Sequence, residues 1–368
     1  MAGIASSACA LARSLHLVKT AFRCRIRPRN GAAIPGRFMN TTIPSIARVC
    51  ALFVTVASLA ACGGGGSDAP AVAPTPSPVV PVPTPAPSEP QAISTVPAFT
   101  YIDQRKADVL NRLNTIRVSV GLGLIAQQTQ IDTAAQAHTD YSVANNVQSH
   151  KEDSAKQGYT GYGAGDRETA AGYVWAAGDE VMSFGSSNGA ASVDLLMSAP
   201  YHRVAMLEYG WTVAGVGIST SIAGQSFDVD IDMAYPPGGM QGAPNTPVAI
   251  FPIDGATAVP VAMLSNESPN PIPENNGALP GYPVSLQVNE SKTLTVTSFT
   301  VSRVDGSLVD TKLLEPSTDV NLIGWGFKFF ASALPRAPLA AGTTYYAKFV
   351  GTVDGAALTK SWSFTTAP

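Results

Sequence analysis

The stretch Ser198-Ala199-Pro200-Tyr201-His202-Arg203, followed by Gly215-Val216-Gly217 and then Phe227-Asp228-Val229-Asp230-Ile231-Asp232-Met233, decides how this chain is read. The last run alternates apolar and acidic residues, the period-two signature of a strand, over 225–233. The run 212–219 around Gly215 and Gly217 reads as a second strand. Working back toward the N-terminus, Val109, Leu110, Leu113, Ile116 and Val120 recur at helical spacing, which predicts a helix over 107–120. Gly121 and Gly123 break it. An Ala-rich second helix is expected over 131–143, with Ile131, Ala134, Ala135, His138 and Ser142 near one face. A short third is expected over 192–197, stopping before Pro200. Residues 99–237 therefore read as a mixed α/β unit.

The histidines of this unit are His138, His150 and His202. His150 follows Ser149 beyond the second helix, Glu180 sits in Gly178-Asp179-Glu180-Val181, and His202 opens the deciding stretch. Two imidazoles and a carboxylate can hold zinc, or another divalent cation, with one position open. Such a position lowers the pKa of bound water to about 7. The same trio can equally be a hydrogen-bonded polar cluster, because its wide spacing is no local zinc signature. The other candidates have plainer readings. His138 is a packed or surface residue, Glu168 beside Arg167 is a surface ion-pair partner, and Asp140 faces solvent. Asp228, Asp230 and Asp232 form the wet face of a strand, although such a row can mimic a calcium site. Tyr201 is a wall aromatic.

The ordered set is similar to the CAP superfamily, which includes the cysteine-rich secretory, antigen 5 and pathogenesis-related proteins. Its pieces are Ala135 to Tyr141, Ser149-His150, Arg167, Gly172-Tyr173, Asp179-Glu180, Ser198 to Arg203 and Gly215 to Gly217. The resemblance implies an α-β-α sandwich with a central cleft lined by His150, Glu180 and His202. Two departures stand out. Val181 replaces the Asn that often follows the glutamate. The segment from Val193 to Pro200 lacks the second cleft glutamate of animal and plant relatives, so a three-residue version of the cleft is expected.

Residues 238–368 change texture near Pro236-Pro237-Gly238-Gly239, which predicts two independently folding units. Alternating runs over 282–288, 293–304, 344–353 and 360–365 are separated by turn clusters, and Asp305-Gly306 and Asp354-Gly355 are hairpin signals. An antiparallel β-sandwich is expected. Its end, Pro338 to Tyr346 and Trp362 to Thr366, resembles bacterial Ig-like surface domains. The fold class is thus α+β, a CAP sandwich followed by a β-sandwich.

The N-terminal part is an address. Charged residues make up 13% of the chain, against roughly 25% on average. Eight of the 23 Lys and Arg, and none of the 26 Asp and Glu, fall in residues 1–61. The remainder is strongly acidic, which argues against nucleic-acid binding. Residues 1–61 read as an upstream segment and secretory signal, with Arg48 ahead of the apolar run from Val49 to Ala61. That run is too short for a stable membrane helix. Leu59-Ala60-Ala61-Cys62 resembles the lipobox of bacterial lipoproteins, so Cys62 is the expected lipidation site and membrane anchor. Gly63 in place of Asp favours the outer membrane by the same resemblance. Residues 62–98 are then a Gly- and Pro-rich tether in extended polyproline II form. The expected protein is a cell-envelope lipoprotein whose CAP cleft or neighbouring groove binds an apolar or lipid-like ligand or a peptide. The alternatives are a metal-dependent hydrolase using His150, Glu180 and His202, or a display or adhesion protein.

Overall fold

A computed structural model describes residues 24–26, 91–220, 227–242, 248–264 and 266–368. The expected signal, Cys62 and the tether up to residue 90 lie outside the described residues, apart from 24–26. In chain order the first part contains β1 (Cys24–Ile26), α1 (Gln104–Ser119), β2 (Ala126–Gln127), α2 (Thr129–Asn145) and α3 (Ala164–Ala170). It continues with β3 (Ala177–Ser186), α4 (Gly189–Met197), α5 (Pro200–Met206), β4 (Val213–Thr220) and β5 (Phe227–Tyr235). The strands form one sheet in the order β1-β3-β5-β4-β2. Its centre, β3-β5-β4, is antiparallel, with Glu180 opposite Asp232 and Asp232 opposite Gly215.

Helices cover both faces, giving the α-β-α sandwich. On one face Val181, Val216, Ile218, Val229, Ile231 and Met233 pack against α1, α4 and α5 in a single apolar core. Burying each such side chain stabilises the fold by roughly 1.5–3 kcal/mol relative to leaving it in water. On the other face α2 lies directly on β4. A Cβ at Gly215 would come 2.2 Å from the backbone of Ile131 and Asp132, and one at Gly217 would come 2.1 Å from Ala135 O. The Gly-Val-Gly pattern therefore places α2 against bare backbone. Helix side chains then take the place of a neighbouring strand beyond the short β2. Val216 N–H donates to Asp132 (2.8 Å), and Ile218 N–H donates to Gln136 Oε1 (3.1 Å).

The second part contains β6 (Ala249–Phe251), β7 (Ala256–Val259), β8 (Val284–Gln287), β9 (Leu294–Arg303), β10 (Thr311–Leu314), α6 (Val320–Trp325), β11 (Phe330–Pro335), β12 (Thr344–Val353) and β13 (Ala356–Thr366). Two four-stranded sheets, β10-β11-β8-β6 and β7-β13-β12-β9, enclose one core that includes Val284, Leu286, Phe299, Phe330, Phe349 and Trp362. The expectation of a purely antiparallel sandwich needs one correction, because β7 runs parallel to β13 at the sheet edge. The Asp354-Gly355 hairpin is as expected, with φ of 48° and 84° at the two turn residues and Val353 opposite Ala356.

The two parts are not separated as the composition change predicts. Pro200 starts α5 at the position where its missing N–H costs nothing. Every residue of that helix is buried, and Tyr201 and Val204 belong to the core of the second part. Arg203 donates to Pro283 O (2.7 Å) and Ser285 Oγ (3.0 Å), with its guanidinium against the rings of Phe251 and Tyr282. Gln287 donates to Val204 O and Leu207 O, and Glu290 accepts from Tyr209 N–H and Gly210 N–H. Arg203 Nε also donates to Met197 O (2.6 Å), so one buried guanidinium ties the end of α4 to the strands of the second part.

Candidate functional site

The polar site lies on the α2–α3 face of the sheet. His138 projects from α2, and both of its ring nitrogens are engaged, Nδ1 with Glu152 (2.9 Å) and Nε2 with Ser149 O (2.9 Å). Glu152 also accepts from Thr160 N–H (2.6 Å), so it closes the loop that carries His150. Arg167, from α3, donates to His150 O (3.2 Å) and pairs with Glu180 of β3. The other oxygen of Glu180 accepts from His150 Nδ1. Glu168, Asp230 and Asp232 complete the face, all fully buried and with no hydrogen-bond partner for their carboxyl oxygens.

Five carboxyl groups thus share a buried space with one guanidinium and two imidazoles. Burial alone would raise the Glu180 pKa, but Arg167, then His138 and His150, outweigh it and bring it to about 2. Glu168 goes the other way. Burial and then the Glu180 charge push it up to about 8. Burial also raises Asp230 and Asp232 well above the carboxylate range, with neighbouring acidic groups adding to it. Burial would raise Glu152 too, but the His138 hydrogen bond, the Thr160 N–H and Arg167 hold it below its ordinary value. Glu180 and Glu152 are the charged carboxyls of the group, and Glu168, Asp230 and Asp232 are held as neutral acids. Burial lowers the His150 pKa against the pull of Glu180, and His202 and His138 lower it further by repulsion.

His202 takes a different partner. It sits on α5, and its Nδ1 and its backbone N–H both reach Glu267 Oε1, at 2.8 and 2.9 Å. Glu267 belongs to the second part of the chain, 65 residues away, and is buried. The structure therefore joins His150 to Glu180 directly and engages His202 through Glu267.

His138 is packed, as expected, with both ring nitrogens engaged. Two plainer readings of the sequence are overturned. Glu168 is buried rather than on the surface. Asp230 and Asp232 do not form a wet face, because α2 and α3 cover that side of the sheet; only Asp228, at the strand's beginning, is partly exposed. Asp140 is exposed as expected. Glu152 and Glu267 carry no local signature. Glu152, two residues beyond His150, could have been suspected from that spacing, whereas Glu267 is visible only in three dimensions.

This arrangement has a match. Residues 110–229 fit the model of the cysteine-rich secretory protein family, CAP. That segment is a CAP domain. The chain is also similar to the crystal structure of an extracellular protein containing a SCP domain from Bacillus anthracis str. Ames, at 21% identity and a TM-score of 0.31. The similarity covers 36% of this chain and spans 40% of the length of that one. No curated protein matches the chain at a significant level.

The donor chemistry of the CAP cleft is selective. His138, Glu180 and Asp230 each bring one ligand atom within 4.8 Å of the others, but both nitrogens of His138 and both oxygens of Glu180 are already engaged. His150 differs, because its Nε2 is buried with no partner while Nδ1 is held by Glu180. A carboxylate on one imidazole nitrogen that leaves the other as a lone pair is the usual support for a metal-binding histidine. The residues fit a cation through His150, with Glu180 orienting the ring rather than binding directly. Among the described residues no helix is long and apolar enough to cross a membrane.

Proposed function

We propose that this chain is an exported cell-envelope CAP protein, anchored through Cys62 and probing its surroundings with a groove for an apolar or lipid-like ligand or a peptide. The observation that carries this reading is a groove of about 380 Å³ between α1, α4 and the strands β6 and β7. Ile116, Phe251, Ile253, Val259 and Tyr282 supply apolar wall, and the Arg112–Asp194 ion pair (2.7 Å) stands at its side. Ligand sites are commonly concave and mostly apolar, with a few placed polar groups, and they favour junctions between domains. Export would remove residues 1–61, and β1 with them, freeing the backbone edge of β3 beside Glu180.

A fluorescent fatty acid offered to the purified chain tests the groove. Binding to wild type that falls at least roughly tenfold in Ile253→Glu, a loss of about 1.4 kcal/mol, is the expected result. Equal binding by both proteins would place the probe elsewhere and remove the support for this groove.

A second reading is favoured by the unpartnered Nε2 of His150. A divalent cation such as zinc would bind there together with His202, and its chemistry would be Lewis-acid activation of a bound water. A hydrolase built on it would need a base other than Glu180, since His150 and Arg167 occupy both of that residue's oxygens.

A further inference from the structure

The CAP segment lacks the second glutamate that the cleft of its animal and plant relatives brings, and the stretch from Val193 to Pro200 offers none in its place. Yet the structure contains three buried glutamate–histidine pairs of the same form. Glu152 Oε1 meets His138 Nδ1 at 2.9 Å, Glu180 Oε1 meets His150 Nδ1, and Glu267 Oε1 meets His202 Nδ1 at 2.8 Å; only the last draws its carboxylate from the β-rich part. In all three pairs each member is at most about 5% exposed, so water cannot compete for the bond. We propose that Glu267 is a positioning residue lent by the β-rich part, which orients the His202 ring by holding its Nδ1–H.

The argument rests on what each atom can do. A carboxylate oxygen accepts, so the Nδ1 that faces it must carry the proton, and the partner of one imidazole nitrogen decides the state of the other. The same Oε1 also accepts the His202 backbone N–H at 2.9 Å. Two donors from one residue converge on one oxygen, which fixes the ring relative to its own backbone. Ser198, four residues before His202, reinforces the approach of this segment, since its Oγ accepts from Leu264 N–H at 3.0 Å. The consequence is a division of labour. The CAP domain orients His150 from within, whereas the orientation of His202 depends on the part of the chain that follows.

The test is the tautomer of His202, read in the full chain by long-range ¹H–¹⁵N correlation, with the signal assigned by its loss in His202→Gln. The expected wild-type ring carries a proton on Nδ1. Glu267→Leu, which keeps the volume and removes the acceptor, should shift the ring to a mixture dominated by the Nε2–H form. Glu267→Gln, which keeps an acceptor oxygen, should restore the Nδ1–H form; a loss of packing alone would not separate the two variants in this way. A wild-type ring protonated on Nε2 alone overturns the proposal without recourse to any variant. So does an unchanged tautomer in Glu267→Leu. Zinc added alone separates this proposal from the metal reading. A wild type with the Nδ1–H ring and no thermal response to zinc leaves Glu267 in its role and removes the metal.

Discussion

The two faces of the CAP sheet are built from alternate residues of the same strands and do different work. On β5, Val229, Ile231 and Met233 point into an apolar core, whereas Asp230 and Asp232 point into a buried space crowded with carboxyl groups. The first face holds the fold together by area removed from water. The second tolerates burial of acidic groups only because Glu180 and Glu152 are ionised against Arg167 and the imidazoles, while Glu168, Asp230 and Asp232 keep their protons. Equal burial on the two faces therefore means opposite things. On one it is the source of stability, and on the other it is a constraint that sets protonation.

A pair of substitutions separates the two faces most strongly. Arg167→Ala would leave Glu180 buried with only imidazoles to balance it, and a loss of about 3–5 kcal/mol is expected. Ile231→Val, on the opposite face and one residue from Asp232, should cost only ~0.5–1.5 kcal/mol. Urea unfolding of the full chain reads both. Similar costs for the two would show that the polar face does not depend on Arg167 for its charge balance.

A finer and smaller effect lies in pH. The Glu168 carboxyl has an ordinary value of 4.5 and is pushed up to about 8 in the fold by burial and then by Glu180. The folded state binds this proton more tightly than the unfolded state does. Its contribution is fully present below about pH 4.5 and is lost as the pH rises through 8. Glu168→Gln removes that loss, so the fall in melting temperature between about pH 5 and pH 9 should be shallower than in wild type. It should not vanish, because Asp230 and Asp232 shift in the same direction. Glu180 has the opposite sign, with stability lost only as the pH falls toward 2. An identical pH dependence in the Gln variant would mean that Glu168 is ionised in the folded protein.

Much of the fold was legible in the residues, and the errors share a cause. The alternation on β5 identified the strand, and the Asp354-Gly355 turn located the final hairpin. Alternation does not say what covers the acidic side, and here it is α2, admitted by Gly215 and Gly217. β3 was not recognised as a strand although it carries Glu180. With both faces covered, Ala177 to Ser186 shows no period of two. Pro200 read correctly as the end of one helix, but it also begins another. At the site, His150 and Glu180 were legible as motif residues. Their supports were not, because Glu152 acts through loop backbone and Glu267 arrives from another part of the chain.

The burial of α5 also bears on how such a chain can be recombined. A crossover between residues 206 and 248 that supplied a different C-terminal module would have to supply acceptors for the Arg203 guanidinium, aromatic rings to flank it, and a carboxylate for His202. Few unrelated modules would carry all three at matching positions. The helix therefore acts as a lock on domain shuffling, and the two parts are expected to be inherited together.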